Sequence, residues 1–164
     1  MGELLKDDDK VALYADLAGQ IDALLTDEWD VTANLANAAA AIYHTLPELN
    51  WAGFYILRGR ELVLGPFQGK PACVRIAIGR GVCGAAAEQR RAILVPDVHA
   101  FPGHIACDSV SQSELVIPLI HDEALIGVMD LDSPRLARFD ALDQAGCEAL
   151  VAVIVRHLTS VPPG

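Results

Sequence analysis

Three cysteines fall in short, turn-rich segments of the middle third of the chain. They are Cys73 in Gly69-Lys70-Pro71-Ala72-Cys73, Cys83 in Gly79-Arg80-Gly81-Val82-Cys83-Gly84, and Cys107 in His104-Ile105-Ala106-Cys107-Asp108. Three acids follow in or beside apolar runs: Glu114, Asp130 and Asp132. A loop thiol can attack an electrophile as its thiolate, and a neighbouring carboxyl group can supply the proton that makes the target electrophilic. Reduction of an oxidised substrate by sulfur is the chemistry these residue types suit. Cys107, followed by Asp108, Ser109 and Ser111, occupies a polar setting that packing does not explain. Cys147, among Leu150, Val151 and Ile154, reads as core. Cys83, between Val82 and Gly84, fits a buried structural thiol as well as a redox partner.

Each acid has a plain reading beside the chemical one. Asp130 and Asp132 are two apart on a strand and so share a face, yet they could equally cap the Ser133-Pro134 turn. Glu114 heads the apolar run Leu115 to Ile120, where a solvated edge residue and a pocket acid are equally compatible. If the three converge, mutual repulsion raises at least one pKa and keeps a neutral acid at pH 7. Glu114 is then the expected proton donor and Asp132 the second candidate. The remaining negative charge suits an ammonium group on a ligand. The same charge opposes a Cys107 thiolate, a conflict that a bound ammonium would relieve. Trp51 and Tyr55, four apart on a strand, share one face, and Phe54 points to the core. A zinc site built from His104, Cys107, Cys73 and Cys83 is disfavoured because no Cys-x-x-Cys pair exists, so no metal is expected.

The elements that must position these groups follow from composition and pattern. The 164 residues are 52% hydrophobic with mean hydropathy +0.32, enough for one core, which predicts a single domain over 1–164 with tails at 1–9 and 160–164. A net charge of −10 and a pI near 4.7 repel phosphate backbones and anionic lipid, so neither nucleic acid nor membrane is an expected partner. The first residues lack a basic, apolar leader, and no apolar run approaches the roughly 20 residues that cross a bilayer. A cytosolic setting is expected, in which thiols stay reduced and clustered cysteines point to redox or metal chemistry.

Two helices are predicted first, Val11 to Leu25 and Val31 to Leu46, the second capped by Asp30. Short apolar runs follow at Trp51 to Leu57, Glu61 to Leu64, Cys73 to Ile78, Ala92 to Val95, Glu114 to Ile120 and Ala124 to Leu131. Tight turns at Arg58-Gly59-Arg60 and His121-Asp122-Glu123 make the first and last pairs antiparallel hairpins. Gly81 to Gln89 reads as a short helix, and Asp140 to Leu158 as a closing helix with Asp140 and Asp143 as a capping pair. The expected fold is α+β: an antiparallel sheet with N-terminal and C-terminal helices packed on it. Pro96 to Ser113, which holds Cys107, forms a long functional loop.

Several strings together carry a family resemblance: Asn50-Trp51-Ala52-Gly53-Phe54-Tyr55, the Gly65 to Cys73 and Gly79 to Gly84 segments, Ala106-Cys107-Asp108-Ser109, and Gly127 to Pro134. In this order the chain resembles the free methionine-(R)-sulfoxide reductases, which are GAF-domain enzymes. The resemblance implies reduction of the R sulfoxide of free methionine, no bound cofactor, a homodimer, and recycling by thioredoxin with NADPH supplied through thioredoxin reductase. It places the nucleophile at Cys107 and the resolving thiol at Cys73, with Cys83 as alternative or relay. It puts the substrate-binding carboxylates at Glu114, Asp130 and Asp132, and the aromatic wall at Trp51 and Tyr55. A non-catalytic GAF sensor and a thiol switch without turnover are the competing readings; the absence of an output segment after Ser160 favours the enzyme.

Overall fold

The computed structural model describes residues 5–105 and 107–162. Helix α1, Asp7–Leu25, begins four residues earlier than its hydrophobic pattern predicts and so takes in residues 7–9 of the expected tail. Asp7, Asp8 and Asp9 occupy its first turn, where acids are favoured by the exposed N–H groups. It buries Lys10, Tyr14, Leu17, Ile21 and Leu25, one face at helical spacing. Helix α2, Val31–Thr45, is capped by the Asp30 carboxylate, which accepts from the Ala33 amide at 2.8 Å. The last helix, α4, Ala141–Leu158, starts with a reciprocal capping box between Asp140 and Asp143. Asp143 is fully buried and also accepts from Lys10, Tyr14 and Arg138, which ties α4 to α1.

Between these helices run six strands: β1 Trp51–Arg58, β2 Glu61–Gly69, β3 Arg75–Ala77, β4 Ile93–Val95, β5 Ser113–His121 and β6 Ala124–Ser133. Helix α3, Gly81–Gln89, lies between β3 and β4. All pairings are antiparallel in the order β3-β2-β1-β6-β5-β4, so β1 and β6 occupy the centre. β2 and β3 depart furthest from their expected lengths. β2 continues past Leu64 to Gly69, and its register against β1 shifts between Gly53 and Tyr55. Pro66, which has no amide to donate, is accommodated there by the irregularity. β3 is shorter than the run Cys73 to Ile78, which leaves Cys73 in the loop before it.

Alternation along the strands separates two interiors. Ala52 and Phe54 of β1, Met129 and Leu131 of β6, and Leu115, Ile117 and Leu119 of β5 face α1, α2 and α4 in the main core. Trp51, Tyr55, Val116 and Val128 face the other way, toward Val82, Cys83 and Ala86 of α3. Cys147 is fully buried in the main core, as its apolar helix predicts.

Candidate active site

The second face of the sheet supplies the floor of a pocket. Register sets Glu114 directly opposite Asp132, and Val116 opposite Asp130, so the three acids are near neighbours on β5 and β6. Trp51 of β1 stands opposite Asp132 on the other side of β6. Like charges directly across a ladder repel. Glu114 and Asp130 are each only 6% exposed, and one Asp130 oxygen is buried with no hydrogen-bond partner among the described residues. Burial first, and Asp132 beside it, push the Glu114 pKa up to about 8. Asp130 is raised by burial and by Glu114, and Asp132 by burial and by Asp130. The pocket therefore holds protonated carboxyl groups at neutral pH, the state required of a donor to an oxygen.

Helix α3 brings Cys83 over this floor, its Sγ 4.0 Å from a Glu114 oxygen. Burial and the surrounding acids raise its pKa well above that of an ordinary thiol, so it stays neutral and weakly nucleophilic. Cys83, Glu114 and Asp130 offer donor atoms within 4.8 Å of one another and could hold a metal ion. A cation there would have to displace the protons that burial retains, so the set suits proton storage better. The zinc grouping of Cys73, Cys83, Cys107 and His104 is not the arrangement found: Cys73 and Cys107 form a disulfide, with Cα atoms 6.0 Å apart.

That disulfide lies at the pocket, whose lining also includes Trp51, Tyr55, His104, Lys70 and Arg80. Trp51 stacks between Tyr55, 6.0 Å away, and Phe67, 5.2 Å away, giving a flat apolar wall. Its Nε1 donates to the Lys70 carbonyl at 3.1 Å. The chain passes this close because Gly69 adopts φ +126°, and a Cβ there would meet the Asn50 carbonyl and the Trp51 ring. Seven of the sequence-derived candidates, Trp51, Tyr55, Cys83, Cys107, Glu114, Asp130 and Asp132, thus line one cavity, and the eighth, Cys73, joins it through its bond to Cys107. Two neighbours were not singled out as site residues. His104 Nε2 lies 3.6 Å from Glu114, and burial lowers its pKa, which keeps it neutral. Asn50 reaches across to the Cys107 loop through Asp108 and Ser111. Its place beside Trp51 was the only sequence signal.

The comparisons with known proteins bear on this geometry. Residues 32–158 match the GAF domain family. The chain is 48% identical to the free methionine-R-sulfoxide reductase of Escherichia coli, over 92% of each chain. The chain belongs to this family of GAF-domain proteins. It is also 46% identical to the Saccharomyces cerevisiae free methionine-R-sulfoxide reductase, over 74% of this chain and 72% of that one. Among solved structures, the Neisseria meningitidis free methionine-R-sulfoxide reductase in complex with its substrate superposes with TM-score 0.89 at 44% identity and 96% coverage of both chains. Membership of the GAF-domain reductases agrees with the six-stranded antiparallel sheet and its flanking helices. Among the described residues, no helix is long and apolar enough to cross a membrane.

Proposed function

We propose that this protein reduces the R sulfoxide of free methionine, with Cys107 as nucleophile, Cys73 as resolving thiol and thioredoxin as reductant. Family membership makes it an oxidoreductase of this class. The observation that carries the residue assignment is the Cys73–Cys107 disulfide beside a floor of buried, protonated acids. A sulfoxide sulfur accepts a thiol only when its oxygen is protonated or strongly hydrogen-bonded. Glu114, pushed up to about 8, is the donor best matched to neutral pH, with Asp132 second. The apolar face of Trp51 suits the substrate methyl group.

Electron balance follows from these groups. The Cys107 thiol attacks sulfur, oxygen passes to Cys107, and methionine leaves, which puts a sulfenic acid on Cys107. The Cys73 thiol then attacks that sulfenic sulfur, forming the S–S bond as the S–O bond breaks and water departs. A thioredoxin dithiol reduces the disulfide and becomes one itself. Cys83, neutral and held against Glu114, keeps its place on the floor during both steps. Selectivity for free substrate rests on the ammonium, which meets the Asp130 and Asp132 carboxyls and favours ionisation of one of them beneath it. A homodimer and a cytosolic setting belong to the same reading.

NADPH oxidation coupled through thioredoxin reductase and thioredoxin tests the whole reading, with free R sulfoxide, free S sulfoxide and a peptide-bound sulfoxide as substrates. Turnover of the free R epimer alone, abolished in Cys107→Ser, is expected. No turnover by folded, reduced protein would leave the same pocket as the binding site of a sensor.

A further inference from the structure

Asn50, just before β1, and Tyr55 within it hold both halves of the thiol pair. Asn50 Nδ2 donates to Asp108 Oδ2 at 3.2 Å and to Ser111 Oγ at 2.9 Å, immediately beyond Cys107. Tyr55 Oη donates to the main-chain carbonyl of Cys73 itself at 2.8 Å. The backbone amide of Asn50 is anchored on the Asp132 carbonyl at 3.0 Å, so the support is the centre of the sheet. Burial and the nearby acids raise the Tyr55 phenol, which therefore donates throughout the working pH range. Cys73 and Cys107 both lie outside helices and strands.

We propose that Asn50 and Tyr55 are positioning residues that hold the Cys107 and Cys73 loops in register for disulfide formation. The proposal rests on the reading of these two cysteines as the reacting pair. They are 34 positions apart with β3, α3 and β4 between them, so the two short loops that carry them are placed by different elements and each needs its own anchor. Anchoring both loops on β1 and the residue that leads into it keeps the two sulfurs within a local encounter. In the step that benefits, the Cys73 sulfur bonds to the sulfenic sulfur of Cys107, the S–O bond breaks, and the departing hydroxide takes a proton to become water. Loss of either tether lowers the effective concentration of Cys73 at Cys107. The sulfenic acid then lives longer and the disulfide becomes easier to reduce.

Tyr55→Phe removes only the hydroxyl and keeps the ring against Trp51; Asn50→Ala removes the other tether. Each is equilibrated in glutathione redox buffers and quantified by alkylation and mass spectrometry. The sulfenic acid is trapped with dimedone after one equivalent of methionine sulfoxide. Each variant is expected to lose about tenfold in the disulfide equilibrium constant, an upward shift of about 30 mV in potential, and to hold its sulfenic acid correspondingly longer. Tyr14→Phe, which loses a 2.8 Å bond to Asp143 and the contact with the Cys147 thiol in the main core, on the other face of the sheet from the Cys73–Cys107 pair, serves as the structural control: its melting temperature falls and its potential does not move. Wild-type potential and sulfenic lifetime in both Tyr55→Phe and Asn50→Ala would overturn the proposal, whatever their melting temperatures. If only one of the two folds, its values decide. A wild-type protein that forms no Cys73–Cys107 disulfide on turnover would instead sink the pairing, and the proposal with it.

Discussion

Replacing Glu114 by glutamine should make folding less sensitive to pH. Glu114 is 6% exposed, and its pKa rises from an ordinary 4.5 to about 8 through burial and the Asp132 charge. Between those values the folded protein keeps a proton that the unfolded chain has released, so the folded state binds more protons and stability falls as pH rises. From pH 5 to pH 7 this single group removes about 2.5 kcal/mol, from 1.36 kcal/mol per pKa unit weighted by partial titration near pH 5. Glutamine has nearly the same shape and no such loss. Glu114 also raises Asp130, so the substitution relieves part of that penalty in the same direction. Urea unfolding of the disulfide-bonded wild type and Glu114→Gln at pH 5, 6 and 7 measures the effect. The gap between the curves should widen in favour of the variant by about 2.5 kcal/mol over that range. Parallel curves would refute the conclusion that Glu114 stays protonated in the fold.

The same proton should shape catalysis. In wild type, kcat/KM should fall on an alkaline limb near pH 8, and Glu114→Gln should lose that limb together with about 10²- to 10⁴-fold of the rate, read in the coupled assay. Cys73→Ser should reduce one equivalent of sulfoxide in a rapid-quench experiment and then stop under thioredoxin, with dimedone-reactive sulfur on Cys107; continued turnover would reassign the resolving thiol. Asp143→Ala strands Lys10 and Arg138 in the α1–α4 contact and should cost about 3–5 kcal/mol of stability in urea unfolding, with little change in the disulfide potential.

The parts of this fold visible in the sequence were those governed by local rules. Asp30 and the Asp140/Asp143 pair announced their helix starts because capping needs residues only two or three positions away. The two hairpins followed from their turns, and the period of two put Trp51 with Tyr55 and Asp130 with Asp132. What escaped depended on distant partners. Lys10 fell between the expected tail and the start of the predicted helix with no role assigned, and is buried because its ammonium meets Asp140 and Asp143 some 130 positions later. The apolar run was read only to Leu64, whereas β2 continues through Pro66 to Gly69 by a register shift. The burial of Glu114 was undecidable at its own position, since an acid heading an apolar run looks the same on a solvated edge as over a pocket. Only pairing with Asp132 fixes which it is. The tethering role of Asn50 was equally hidden, because its side-chain partners lie 58 and 61 residues away.

Strand alternation sets how this molecule can change length. Along β1 and β6, neighbouring residues belong to different trades: Ala52, Phe54, Met129 and Leu131 pack against helices, while Trp51, Tyr55, Asp130 and Asp132 belong to the pocket. Inserting or deleting one residue inside either strand would drive acids into the oil and aliphatics into the pocket in a single event. The turns around Gly59 and Asp122 and the loops are the places where a residue can be added or removed without exchanging the two faces.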